Sequence, residues 1–455
     1  MTVAKVILTF KLPVMKIFAS FQNFCMLDVI VSSIFAWLNL GGQSQLNLKP
    51  LESFPWHDTA IFELPIIRED LTAKNIVRAY LKNIERQNLT SEIQGIWIQS
   101  GWYTLASNQG TTPLPAASLT KIATTLAALG EWGTKHQFVT KIYVTGEIEN
   151  GIVKGDLIVE GAGDPLFVWE EAIALGNSLS QLGIKSIQGN LLVTDKFYMN
   201  YKEQPQKAGE LFKQGLDRQQ WQSEITTQYL QMPAGTAQPN IAIAGTVREI
   251  KTIPSTAQLL ISHQSLPLAQ ILRQMNIYSN NKMAQMLTDL LGGAASVAKS
   301  AAVLAHFPPE EIELINGSGL GEENRISPRA VSQMLMASDR LLEDSSLSAT
   351  DLFPTAGRDL VGTVRDRTLP LGTTVKTGTL DNVSALAGVI PTEDRGNVYF
   401  SIINYGRQYQ YFRPQQDRLL NELVQEWQLV PHNFNLLDRQ DWFLGNGDRN
   451  QKAEP

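Results

Sequence analysis

The feature that most constrains this chain is how its hydrophobic period changes along its length. Ile76, Val77, Tyr80, Leu81 and Ile84 share one face of a predicted helix over 72–87. The runs IQGIWIQS and GWYTLASN are strand-like and meet at Ser100-Gly101, which predicts a hairpin. A helix is expected over 118–130, ended by Gly130. From residue 137 the texture turns to strands: FVTKIYVTGEI and IVKGDLIVEG flank Asn150-Gly151, a strong hairpin signal. A helical stretch at 168–182 leads to SIQGNLLVTD, read as a further strand pair, and 196–262 is rich in Gln, Thr and Pro. Helices return from LAQILRQMNIY and SNNKMAQMLTDLLGG to about 345. Then come TVKTGTL, a hairpin of SALAGVIPT and NVYFSIINY around Asp394-Arg395-Gly396, and a terminal helix over 411–428. This order fits an α+β core interrupted by a second module. The expected bounds are 60–140 and 263–430 for the two parts of the core, 141–262 for a β-rich insert, and 431–455 for a polar, disordered tail.

The bulk numbers narrow the function classes. At 455 residues, 43% hydrophobic and 18% charged, the chain reads as globular, with two domains plus tails. A net charge of −6 without like-charge runs lends no support to nucleic-acid binding. A single cysteine, Cys25, excludes an intrachain disulfide and a cysteine-based zinc site, and five scattered histidines form no metal motif. In the first 45 residues, Lys5, Lys11 and Lys16 precede an apolar stretch whose best piece, VIVSSIFAWLNL (29–40), has the length of a signal-peptide core. It is short for a membrane span. Export is expected, with the segment either cleaved or kept as an anchor.

PAASLTKIATTLAALGEWG (115–133) places Ser118 and Lys121 three residues apart at the start of the apolar helix. At that spacing the two side chains share a face, so the amine can reach the hydroxyl. A serine hydroxyl is a poor nucleophile until a neighbouring base takes its proton. A lysine serves as that base only if burial or a second cation pulls its pKa toward neutrality. The helix N-terminus would favour negative charge on Ser118. Ser296-Val297-Ala298-Lys299 satisfies the same pattern, so two further motifs decide between them. Ser279-Asn280-Asn281 heads the helix SNNKMAQML, and Lys376-Thr377-Gly378 lies in a strand, with Lys376 the candidate second cation. The match at 296–299 falls after the second motif and, on pattern, away from a helix start.

Ser-x-x-Lys, Ser-x-Asn and Lys-Thr-Gly in that order resemble the signature of the penicillin-recognising serine acyltransferases. Over roughly 90–405 the chain most resembles the D-alanyl-D-alanine carboxypeptidases of the low-molecular-mass class C penicillin-binding proteins. GAGDP (161–165), IQGNLLVTDKF (187–197), LAQILRQMNIYSNNKMAQML (268–287) and NGSGLGEENRISP (316–328) each resemble a family segment. The resemblance implies a penicillin-binding/serine β-lactamase-like core, an antiparallel sheet with helices on both faces, carrying an inserted β-rich domain. It implies a serine DD-peptidase cleaving the D-alanyl-D-alanine terminus, or D-alanyl cross-links, of peptidoglycan stem peptides through an acyl-Ser118 intermediate. Lys121 would be the base, and Ser279 and Asn281 would relay protons and hold the substrate amide. Lys376, Thr377 and Thr379, with Gly378 between them, would bind the substrate's free carboxylate. The backbone N–H groups of Ser118 and Thr379 would hold the oxyanion, and Asp164 would face the substrate. No cofactor or metal is implied. β-Lactams are expected as covalent inhibitors, the location as periplasm or cell envelope, and membrane contact only through an uncleaved N-terminal segment.

Some features depart from the family pattern. Lys121 and Ser279 are 158 residues apart, which leaves room for one inserted domain rather than two. Glu322 or Glu323 falls where the family often has an arginine. Tyr278-Ser279-Asn280 fits the second motif of another β-lactamase class, although the surrounding helix favours the 279–281 frame. A serine β-lactamase and a non-catalytic penicillin-binding scaffold are the alternatives. Asn280, Asn281, Asn316 and Asn324 have no Glu four residues earlier, which argues against the best-known β-lactamase class. Ser318 is read as loop chemistry, and Trp97 and Trp102 as hairpin core.

Overall fold

The computed structural model describes residues 70–407, 409–430 and 443–453. The expected leader (1–45) and residues 431–442 of the expected tail lie outside the described residues.

The central sheet is antiparallel and has five strands in the order Thr374–Leu380, Val383–Thr392, Gly396–Tyr405, Gln94–Ser100, Tyr103–Asn108. Two hairpins far apart in sequence, 94–108 and 383–405, join through seven paired residues from Gln94↔Asn404 to Ser100↔Val398. Both faces are covered. Leu386, Ile402, Ile96 and Ile98 point into a cluster with Val77, Ile84, Phe412 and Trp427 of the helices Leu71–Glu85 and Tyr409–Trp427. Ala385, Ala387 and Ile403 point the other way, against Leu119, Ile122, Leu126 and the helices Leu268–Ile277, Ala294–Ala305 and Pro328–Leu342. All ten residues of Val383–Thr392 are buried, so the strand reads as a continuous apolar run rather than an alternation. Asp70 starts the first helix by accepting from the Ala73 N–H at 2.8 Å, and its other oxygen accepts from Arg395 and Trp427 Nε1. That carboxylate therefore ties the chain's first described helix to the sheet and to the C-terminal helix.

Thr120–Trp132 is the central helix, with residues 120–129 all buried, Lys121 among them. It runs through Gly130 rather than ending there. A Cβ at Gly130 would stand 2.6 Å from Leu304 Cδ1, so this glycine permits helix contact, and Gly133 at φ +70° is the terminator. Ser296 and Lys299 lie in the first turns of Ala294–Ala305, so that pattern does sit at a helix start; what separates it from Ser118/Lys121 is that Lys299 is exposed.

The second module spans Val139 to Gln264 and is rich in strands, with helices packed on them. Its six-stranded mixed sheet (Val247–Glu249, Leu191–Val193, Leu157–Glu160, Val139–Val144, Gln258–Gln264, Asn450–Lys452) packs with helices Trp169–Gln181, Pro205–Leu216 and Ser223–Tyr229. The Gln/Thr/Pro-rich stretch that hid Pro205–Leu216 still places Ala208, Phe212 and Leu216 on one buried face. Asn150 and Gly151 turn the predicted hairpin with φ +53° and +83°. Ser186–Ile187 and Leu191–Val193 are strands but do not pair with each other. Each runs parallel to a different neighbour, Ile152–Val153 and Leu157–Glu160 respectively.

Two expectations are corrected outright. The tail is ordered where it is described: Asn450–Lys452 pairs antiparallel with Ile261–His263 as the edge strand of the insert. Its polar composition concealed it because only one short edge is paired and Asn450 anchors it by side-chain hydrogen bonds. Trp102 stands at the hairpin tip and is 81% exposed, while Trp97 is half-buried with the Arg329 guanidinium 6.0 Å from its ring centroid.

Candidate active site

Ser118 sits in a 3₁₀ turn, Ala117–Leu119, that feeds directly into the central helix at Thr120. Ala117 adopts φ +47°, a left-handed conformation that alanine rarely takes, so the turn presenting Ser118 is strained. The surrounding structure holds it there. Leu114–Pro115 pairs with Arg325–Ile326, and the Ala116 N–H donates to Asn324 O at 2.9 Å. The loop 316–324 is thereby laid over the Ser118 turn. Gly319 makes this contact possible: at φ +82°, an added Cβ would fall 1.9 Å from Ala117 O. Any Gly319 substitution would push the loop off Ser118.

Lys121 is fully buried and donates to Ser118 Oγ (3.0 Å), Asn281 Oδ1 (2.7 Å) and Ser318 O (2.7 Å). Burial pulls its pKa down to about 7. The geometry then decides what the neutral amine can do. An amide oxygen and a backbone carbonyl only accept, so they occupy the two N–H bonds that neutral Lys121 retains. Its lone pair is left for the Ser118 hydroxyl proton.

The second motif reaches this site through a turn. Ser279 has φ +51°, and Asn280 caps the helix Asn281–Leu290 by accepting from Lys282 N and Met283 N. Capping fixes Asn281 as the first helical residue, with its carbonyl toward Lys121. The frame is therefore 279–281, and Tyr278 points outward, more than half exposed.

Lys376 arrives from the sheet's edge strand and donates to Ser279 Oγ (2.9 Å) and Thr377 O (2.8 Å). Its pKa is held well below the ordinary lysine value, first by burial and then by the Lys121 charge. The expected influence of one lysine on the other is thus present, but burial is the cause that acts on Lys121. A Cβ at Gly378 would lie 3.0 Å from Ala116 O and 3.1 Å from Ser118 N, so this glycine lets the strand approach the Ser118 backbone. Thr379 follows, exposed, its Oγ1 accepting from Arg413 Nη2 at 3.0 Å.

The structure therefore brings together Ser118, Lys121, Ser279, Asn281, Lys376, Thr377, Gly378 and Thr379. Asp164 is not in this group. It is buried in the insert, where its carboxylate accepts from the Leu166 N–H at 2.9 Å and burial raises its pKa to about 7. Its Asp-Pro sequence was a turn signal, and a turn is what it makes. The Ser318 hydroxyl donates to Asn316 Oδ1 within its own loop, but its carbonyl is a ligand of Lys121. That role has no sequence signature, since any residue supplies a carbonyl. Asn324 was also missed as an organiser: fully buried, it accepts from the Ile315 and Asn316 N–H groups. An asparagine in a Gly-rich loop was the available signal. Glu322 accepts from Asn382 and from Tyr405 OH, two hydrogen bonds that hold its pKa below the usual value.

Comparison with known proteins gives the family. Residues 81–210 and 222–423 match the D-Ala-D-Ala carboxypeptidase 3 (S13) family. A D-alanyl-D-alanine carboxypeptidase, DacB, from Haemophilus influenzae is 24% identical over 389 residues, covering 64% of this chain and 80% of the relative. Among solved structures, a predatory endopeptidase from Bdellovibrio bacteriovorus, in complex with an immunity protein, superposes with a TM-score of 0.66 at 20% identity, covering 79% of this chain and 99% of that one. Penicillin-binding protein 4 of Haemophilus influenzae gives 0.58 at 19% identity, covering 75% and 99%. With the family match spanning most of the chain and the three motifs meeting around Ser118, this protein belongs to the D-Ala-D-Ala carboxypeptidase 3 (S13) family.

Proposed function

We propose that this chain is a serine DD-peptidase that cleaves the D-alanyl-D-alanine terminus of peptidoglycan stem peptides, with Ser118 as nucleophile and Lys121 as its base. The observation that carries this reading is the Lys121 shell, in which two acceptor-only groups leave the lone pair for Ser118. Lys121 takes the Ser118 proton as Oγ attacks the penultimate D-alanine carbonyl. The oxyanion is held by the backbone N–H groups of Ser118 and Thr379, where loss of one donor typically costs about 3 kcal/mol. As the C–N bond breaks, the proton passes through Ser279 to the amine of the departing D-alanine. Water then attacks the ester, giving up a proton to Lys121, which returns it to Ser118 Oγ as the shortened peptide leaves. Lys376, Thr377 and Thr379 receive the substrate's carboxylate: burial disfavours the charged form of Lys376, and an arriving anion favours it. A Bdellovibrio bacteriovorus endopeptidase structure of the same fold is acylated by penicillin G, which supports covalent capture in this fold.

We further place the protein outside the cytoplasm, in the periplasm or cell envelope. Support comes from the basic-then-apolar order of residues 1–45 and from the location of such a substrate. Fractionation of tagged full-length protein tests this, and a purely cytosolic pool would refute it. The catalytic reading is tested by labelling with a fluorescent penicillin and mapping the tryptic peptide. Label is expected on Ser118 alone and lost in Ser118→Ala; label on Ser296, or label surviving that substitution, would sink it. Mass spectrometry of products from defined muropeptides should show loss of one alanine residue.

A further inference from the structure

We infer that Arg413 is a further specificity-determining residue of this site: its guanidinium, held at Thr379, engages the free carboxylate at the substrate's C-terminus. Side chains alternate along the edge strand Thr374–Leu380. Lys376 and Gly378 turn toward Ser279 and the Ser118 turn, so Thr377 and Thr379 turn to the other face with Val375. Val375 packs in the cluster that contains Phe412 and Leu419 of the C-terminal helix, which identifies that face. Phe412 is buried there, and the next residue, Arg413, emerges exposed and donates from Nη2 to Thr379 Oγ1 at 3.0 Å.

On its other side the strand is bridged at its start, where Thr374 pairs with Thr355 and the Val375 N–H donates to Pro354 O at 2.9 Å. From Lys376 to Leu380 the ladder among the described residues is to Val383–Thr392 alone, which leaves that edge for an extended peptide adding as a further strand. A peptide laid there with its scissile carbonyl at Ser118 brings its terminus along Thr377 and Thr379, beside Arg413. The chemistry favours an arginine in that place. Lys376 is wholly buried and its charge is disfavoured until an anion arrives. A guanidinium keeps its charge at every relevant pH and offers donors in a planar fork that matches a carboxylate. Arg413 at the exposed end and Lys376 at the buried end would then flank the same anion.

This inference rests on the peptidase reading, which hydrolysis of the free acid by the wild-type chain tests separately. The experiment compares wild type, Arg413→Gln and Arg413→Lys on two N-acylated tripeptides ending in D-alanyl-D-alanine, one a free acid and one the C-terminal amide. Arg413→Gln should lower kcat/KM on the acid by about 30-fold, equivalent to about 2 kcal/mol, mainly through KM. The amide should be hydrolysed at a rate close to wild type, and Arg413→Lys should recover part of the loss on the acid. Equal loss on acid and amide, with a lower Tm, would make Arg413 only a tie between helix and strand and would overturn the inference. Unchanged kcat/KM on the acid would overturn it as well.

Discussion

Around Lys121 and Lys376 every hydrogen-bond acceptor among the described residues is neutral: a hydroxyl, an amide oxygen and a carbonyl for one, a hydroxyl and a carbonyl for the other. The buried polar cluster of the insert is built otherwise. Glu171, 1% exposed, accepts from Arg449 and from the Gly445 N–H, and its second oxygen lies 3.5 Å from His263 Nε2. His263 Nδ1 donates to Asn450 Oδ1 at 2.6 Å, and Asn450 in turn donates to Ser178. Here a buried charge has its counter-ion, and the result is a joint that holds the C-terminal strand to the insert. In the first cluster the counter-ions are withheld, so burial is relieved by loss of a proton rather than by pairing. The same physical cost gives a structural clasp in one place and, in the other, a lysine whose pKa is drawn down to about 7, as a base requires.

The sharpest way to break this comparison is to deny Lys121 its proton loss. Lys121→Arg retains the cation but cannot deprotonate near neutral pH. Acylation of Ser118 by penicillin should fall by about 10²–10⁴-fold, the usual range for acid–base groups, with the thermal melt preserved. Stopped-flow acylation close to wild type would remove the lysine from the chemistry.

The converse experiment removes the counter-ion from the other cluster. Arg449→Met leaves Glu171 buried without its cation, a change that costs about 3–5 kcal/mol in comparable cases. The denaturation midpoint should drop accordingly while kcat/KM of the folded enzyme stays unchanged. A loss of activity without a loss of stability would show that the joint serves the site rather than the fold.

Asn281→Asp sharpens the comparison by making the catalytic cluster resemble the structural one. A carboxylate against Lys121 raises the amine's pKa, typically by about 1–3 units. Lys121 works as a base only when neutral. The wild-type acylation rate should therefore rise with pH and level off above the Lys121 pKa of about 7. In the variant the same limb should move to higher pH, so that activity lost at pH 7 returns under alkaline conditions. A pH–rate profile of acylation reads this directly, and an unmoved limb would mean that another group titrates.

Much of this molecule was legible before its structure. Asn150-Gly151 announced its hairpin because the turn needs two positive φ angles that those residues supply locally. The three motifs fell in the right order, and Asn280 marked the helix start that sets the 279–281 frame. The reading failed where a residue's meaning came from a distant partner. Gly130 looked like a helix end because glycine usually is one; only the Leu304 side chain explains it. The C-terminal strand looked like tail because three polar residues carry no period, and its partner lies at 261–263.

By itself, then, the sequence determined most elements of the core, the motif set and the candidate nucleophile and base, since these rest on short-range spacing and on side-chain chemistry. The tertiary structure alone decided which acceptors surround Lys121, that Asp164 turns inward, that Arg413 reaches Thr379, and that Glu171 meets Arg449. Those facts depend on contacts between residues tens to hundreds of positions apart, on backbone carbonyls common to every residue, and on burial, which sets a pKa only once the chain has folded around the group.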